Sequence, residues 1–211
     1  MILDVRPRIS MEEDRKVGRK EFFKEGPLSI IRAFMQGAQE PYIRDDSHLT
    51  DAPLLRPPGA APEADFLNIC EGSGACAQSC PAEAIRMIPR EGDSGGFAPM
   101  IYPSDSPCVI CDELSCMKAC PTGALTLVPR ESIRIGLAKV DPDECFAWSG
   151  LDEMCSYCVD RCPMGPDALR MEENGESRGP VVGAGCVGCG VCEYHCPVFP
   201  AAIRIEERSS S

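Results

Sequence analysis

Fifteen cysteines set the chemistry open to this 211-residue chain, and fourteen of them have another cysteine with only two to five residues intervening. Thiolates are soft, strongly donating ligands, so several held along one loop can grip a single small inorganic centre. Disulfide bonding is the competing use of so much sulfur. It is disfavoured by the odd count, which leaves a thiol unpaired in any internal scheme, and by the absence of the signal segment that accompanies small disulfide scaffolds. No other reactive constellation is present: there is no nucleophile with its base, no glycine-rich phosphate loop and no dinucleotide fingerprint. His48 reads as bland, and His195, beside Cys196, is either exposed or donates an N–H to sulfur.

The last group, Cys186, Cys189, Cys192 and Cys196 followed by Pro197, is C-x2-C-x2-C-x3-C-P without deviation. In bacterial ferredoxins that run places three thiolates on one iron–sulfur cluster and the fourth on its neighbour. A second group is Cys108, Cys111, Cys116, Cys120 and Pro121, with two extra residues before the third thiolate. A third is Cys145, a nine-residue insertion holding Trp148, then Cys155, Cys158, Cys162 and Pro163. The first group, Cys70, Cys76, Cys80 and Pro81, is one cysteine short, and its second ligand position falls on Ser73. Three 4Fe-4S clusters are therefore expected, with a fourth site that is 3Fe-4S, an atypically ligated 4Fe-4S, or empty. Ser73 is the candidate oxygen ligand there and Glu71 a weaker one. Zinc is the alternative, because C-x2-C pairs also build tetrahedral thiolate sites. Zinc sites usually separate two such pairs by a longer loop, whereas here the cysteines crowd one loop and a proline follows each group. The C-x3-C-x2-C order of a radical-generating cluster is absent.

What must position these loops is an internal repeat. Ala84-Ile85-Arg86-Met87, Ala124-Leu125-Thr126-Leu127, Ala168-Leu169-Arg170-Met171 and Ala202-Ile203-Arg204-Ile205 follow the four Cys-Pro pairs, and their alternation is strand-like. The fourth cysteines stand 40, 42 and 34 residues apart, so the unit reads as a cysteine loop, a short helical turn opened by the proline, and a strand. The expected fold is α+β and loop-rich: two pseudo-symmetric bacterial-ferredoxin-like modules over residues 66–207. Gly72, Gly74, Gly188 and Gly190 let backbone N–H groups approach cluster sulfurs. Residues 1–40 form an arm in which Phe22, Phe23, Ile30, Ile31, Phe34 and Met35 predict a short amphipathic helix, packed on its own chain or docked on a partner. Residues 41–65, with five prolines, read as an extended linker and 208–211 as a disordered tail. Gly18 to Lys24 resembles a twin-arginine export motif whose second arginine is lysine. Arg32 breaks the apolar stretch that should follow, so it reads as relic or coincidence. No apolar run approaches the roughly 20 residues of a membrane span, and a net charge of -12 lacks the basic surface of a nucleic-acid binder.

With these motifs in view, residues 66–207 resemble the four-cluster ferredoxins of the periplasmic nitrate-reductase and methylamine-utilisation accessory type. The residues that carry the likeness are Pro107 to Asp112, Ala119 to Leu125, Cys145 to Trp148 and Cys186 to Glu193. Similar small subunits serve tungsten and molybdenum enzymes. The resemblance implies a non-catalytic electron-transfer subunit that relays single electrons between a larger catalytic oxidoreductase subunit, tungsten- or molybdenum-dependent enzymes among the candidates, and a second redox protein. A free-standing polyferredoxin and a structural or regulatory iron–sulfur or zinc protein are the alternatives. It also implies pairing of the outer motifs and of the inner motifs. One cluster would then take Cys70, Cys76 and Cys196, and its neighbour Cys186, Cys189, Cys192 and Cys80. A third would take Cys108, Cys111, Cys116 and Cys162, and a fourth Cys145, Cys155, Cys158 and Cys120. The competing scheme pairs the first motif with the second and the third with the fourth, and exchange between Cys80 and Cys120 would mark it. Oxygen-labile clusters and an incomplete export motif point to the cytoplasm, with the periplasm as the alternative.

Overall fold

The computed structural model describes residues 53–90, 95–175 and 177–208. The amphipathic helix expected in the arm, part of the expected linker and most of the expected tail lie outside them. The chain divides into two units, Met1–His48 and Leu49–Ser211, and every element below belongs to the second.

Four prolines between residues 53 and 62 remove backbone donors and hold this segment extended. It is not a loose tether. Leu55 and Pro57 are fully buried, and the Leu55 carbonyl accepts from the Ile101 amide at 2.9 Å. The chain then enters α1 (Glu63–Ile69), where Glu63 and Asp65 favour the positive end of the helix and Phe66 is buried.

Four short helices follow, each carrying the third cysteine of a motif: α2 (Ala75–Gln78), α3 (Ser115–Ala119), α4 (Tyr157–Asp160) and α5 (Val191–Tyr194). They precede the Cys-Pro pairs, so the prolines close these turns and do not open them as the sequence suggested. The physical reason is the residue before each proline, which is driven out of the helical region. Cys120, ahead of Pro121, is accordingly extended at φ -70°, ψ 115°.

Among the described residues six strands make three antiparallel pairs: β1 (Ile85–Pro89) with β2 (Phe97–Ile101), β3 (Leu137–Val140) with β6 (Ile203–Glu206), and β4 (Leu169–Asn174) with β5 (Ser177–Val182). Register sets Ile85 opposite Ile101, Val140 opposite Ile203 and Leu169 opposite Val182. In β6 the alternation is realised directly, with Ile203 and Ile205 buried and Arg204 and Glu206 exposed. The repeat phrase at Ala124–Leu127 makes no strand, only the bridge Ala60 to Leu125. Its partner is bounded by Pro57, Pro58 and Pro62, which cannot extend a hydrogen-bonded ladder. The small mixed helix and strand architecture agrees with the expected class. Its core joins Leu55, Phe66, Ile101, Ile133 and Val187 to buried cysteines. Among the described residues no helix is long and apolar enough to cross a membrane.

Candidate metal centres

None of the fifteen cysteines is in a disulfide. They stand around four cavities. Site 1 is lined by Cys70, Cys76 and Cys120, together with Glu71, Ser73 and Thr122. Site 2 has Cys80, Cys108, Cys111 and Cys116. Site 3 has Cys145, Cys155, Cys158 and Cys196. Site 4 has Cys162, Cys186, Cys189 and Cys192. Among the described residues no three ligating side chains converge closely enough to chelate one ion. Thiols disposed around apolar-walled cavities fit a polynuclear cluster, which meets one thiolate per iron, better than a single tetrahedral zinc.

The loops turn inward through left-handed backbone at two points. Two residues beyond the first cysteine lie Gly72 at φ 71°, Ile110 at 48° and Gly188 at 72°; two residues before the third lie Gly74 at 73°, Leu114 at 49° and Gly190 at 88°. Ile110 and Leu114 take this conformation without the freedom of glycine, so the longer second loop carries backbone strain at the site itself. Beyond the fourth cysteine of the second motif, the Leu125 N–H donates to Cys120 Sγ at 3.3 Å.

Burial pushes the metal-free Cys108 and Cys158 thiols up to about 12 and those of Cys116 and Cys189 to about 11. Cys192 is raised further by burial and then by Cys189 and Cys186 beside it. Burial also raises Cys76, Cys155 and Cys162. Cys120 goes the other way: burial alone would raise it, but the amides of Leu125, Thr122 and Gly123 and the Thr122 hydroxyl together lower it. Most of these sulfurs can therefore be anionic at neutral pH only beside a compensating cation, which is the charge that ligated iron supplies.

The grouping overturns the outer-with-outer pairing implied by the resemblance. Cys120 faces Cys70 and Cys76 in place of Cys196, and Cys80 joins Cys108, Cys111 and Cys116 in place of Cys162. Cys162 and Cys196 are likewise exchanged between the third and fourth motifs. The cause is local. The β1–β2 hairpin returns the chain so that α3 packs on α2, and α5 packs on α4 in the same way. Ser73 lines site 1, where the sequence placed the missing ligand. His195 is exposed and meets Tyr194 edge-on at 5.2 Å between ring centroids.

Three arginines escaped the sequence reading. Arg90 donates to the carbonyls of Leu67 and Phe97, each at 3.0 Å, and to that of Cys70. Arg130 donates to the Ile110 carbonyl at 2.8 Å. Arg208 donates to the Gly136 carbonyl at 2.9 Å and to that of Cys186. Each fastens the first loop of a motif from the far side of the repeat phrase. Their signal was available, since Arg90 and Arg130 both fall ten residues after a fourth cysteine.

A family model described as a 4Fe-4S dicluster domain matches residues 69–124. That span holds the first two motifs together, as sites 1 and 2 do. The chain is 36% identical over 186 residues to the methylamine utilization ferredoxin-type protein MauM of Paracoccus denitrificans, covering 83% of this chain and 81% of that one. It is 34% identical over 194 residues to MauM of Methylophilus methylotrophus, with coverage of 88% and 83%. It is 33% identical over 147 residues to the ferredoxin-type protein NapG of Escherichia coli, with coverage of 64% and 63%.

Proposed function

Because the chain belongs to the ferredoxin-type iron–sulfur proteins that include MauM, we propose that it is a non-catalytic relay subunit with four cluster sites in two ferredoxin-like modules. The first module is built on the first two motifs and the second on the last two. Bound clusters supply one-electron oxidation and reduction at each site. The chain's own residues do the rest. Four cysteines hold each of sites 2, 3 and 4. Cys70, Cys76 and Cys120 hold site 1, which lacks a fourth thiolate at one corner and has Ser73 and Thr122 among its lining residues. That corner suits a three-iron cluster or a four-iron cluster with an oxygen ligand. The apolar walls exclude water, and the loop amides distribute charge over sulfur.

The observation that carries this reading is the sorting of fifteen cysteines into three complete thiol sets and one set of three. A chain already at -12 would carry roughly -20 with four clusters each near -2, so its partners should present basic docking faces. We take these partners to be a larger catalytic oxidoreductase subunit, with tungsten and molybdenum enzymes as candidates, and a second redox protein. Iron and acid-labile sulfide on anaerobically purified protein, with low-temperature EPR, test the reading. About 15 to 16 iron per chain supports four occupied sites, about 12 leaves site 1 empty, and colourless zinc protein refutes it. Ser73→Cys should raise a three-iron site 1 by about one iron. Co-purification with a larger enzyme separates a relay subunit from a free carrier.

A further inference from the structure

The cysteines also determine which sites are neighbours. Sites 1 and 2 share two helices: α2 carries Cys76 of site 1 and leads to Cys80 of site 2, while α3 carries Cys116 of site 2 and leads to Cys120 of site 1. Sites 3 and 4 share α4 and α5 in the same way, through Cys158 with Cys162 and Cys192 with Cys196. The halves meet at ligand residues. The Cys108 amide of site 2 donates to the Cys189 carbonyl of site 4 at 2.9 Å. Beside this bond Gly190, at φ 88°, leaves room for Pro103, which a Cβ would meet at 2.4 Å. The joint is thus made between sites 2 and 4, with Cys108 lining the one cavity and Cys189 the other.

We infer that the four sites form one unbranched series in the order 1, 2, 4, 3, joined in the middle by the Cys108–Cys189 backbone bond, with the three-thiol site at one end and the Cys145/Cys155/Cys158/Cys196 site at the other. The inference rests on the proposal that the sites hold clusters. It makes sites 2 and 4 internal and leaves sites 1 and 3 as the two ends at which partners exchange electrons with the chain. The incomplete ligand set then belongs to an end, where altered cluster chemistry leaves the internal pair intact.

Magnetic interaction between neighbouring reduced clusters tests the order in the full, iron-loaded chain. Removing site 4 with Cys189→Ala and Cys192→Ala should leave site 3 with a narrow, unsplit EPR spectrum and leave the site 1 with site 2 interaction unchanged. A site 3 spectrum that stays split overturns the order. Removing site 3 with Cys155→Ala and Cys158→Ala changes only a terminal site, and decides the matter if the first variant does not fold. The spectra of sites 1 and 2 should then match wild type, and a changed interaction at site 2 overturns the order. Iron content separates the two levels of failure. A wild-type chain without iron and acid-labile sulfide refutes the cluster proposal, whereas full loading with the wrong interaction pattern refutes only the order.

Discussion

Arg208 shows how one side chain outside the cysteine motifs supports a site. Its guanidinium binds the Gly136 and Cys186 carbonyls, and burial lowers its pKa, with Arg134 adding to the effect and Cys186 opposing it. Arg208→Gln should leave at least one of these carbonyls without its donor and cost about 1 to 3 kcal/mol, read as a thermal midpoint lower by about 3 to 10 °C. Loss of the cation should also move site 4 to a more negative reduction potential, because a nearby positive charge favours the reduced, more anionic cluster. The thiols make a second prediction. With folded values of about 11 to 12 at Cys108, Cys116, Cys158 and Cys189, protons compete with iron throughout the neutral range, and each fall in pH strengthens the competition. Iron lost to a ferrous chelator should therefore be greater at pH 6 than at pH 8, measured as iron remaining per chain.

At the scale of elements, helices of four or five residues are too short to persist alone, so each depends on a tether. For α5 that tether is Glu193, whose carboxylate accepts from the Ile205 amide in β6 at 2.7 Å. Burial raises the Glu193 pKa, opposed by the Ile205 hydrogen bond and by Arg204. A raised folded pKa means that its stabilising contribution is fully present below the ordinary carboxyl range and is lost as pH rises through the folded value. Glu193→Ala should cost about 1 to 3 kcal/mol by leaving the β6 amide without its acceptor. Glu193→Gln keeps an acceptor and removes the buried charge, so its denaturation midpoint at pH 7 should stay near wild type. A similar tether holds the third motif, where Trp148 Nε1 donates to the Pro180 carbonyl at 3.1 Å. Gly179 makes room for that ring, since a Cβ there would stand 2.3 Å from it.

At the scale of the molecule, the three two-stranded sheets and five short helices among the described residues supply little independent stability. Buried Cys76, Cys116, Cys186, Cys189 and Cys192 lie within the same core as Leu55, Phe66 and Ile133. A core with thiols at its centre is completed by what the thiols bind, and binding free energy becomes folding free energy. Anaerobic removal of iron should abolish the cooperative thermal transition of the described unit and lower its helix and strand signal in circular dichroism. Restoring iron and sulfide should recover both.

The sequence by itself determined the chemistry and the class of fold. Thiol spacing along a loop is a local property, and three of the four Cys-Pro phrases announced strands, at β1, β4 and β6, without knowledge of what they pair with. Ser73 was legible as the odd position for the same reason: its ligand slot is defined by neighbours a few residues away. The tertiary structure decided which motifs share clusters. A fourth cysteine sits at the end of its own helix and faces whichever helix packs alongside, and that packing depends on long-range return of the chain through the β1–β2 hairpin. It also decided that the proline-rich segment at residues 53–62 belongs to the core, because prolines forbid helix and ladder but say nothing about burial. The missed arginines divide in the same way: the ten-residue spacing of Arg90 and Arg130 from a fourth cysteine is local and legible, whereas the backbone carbonyls they bind were decided by the fold.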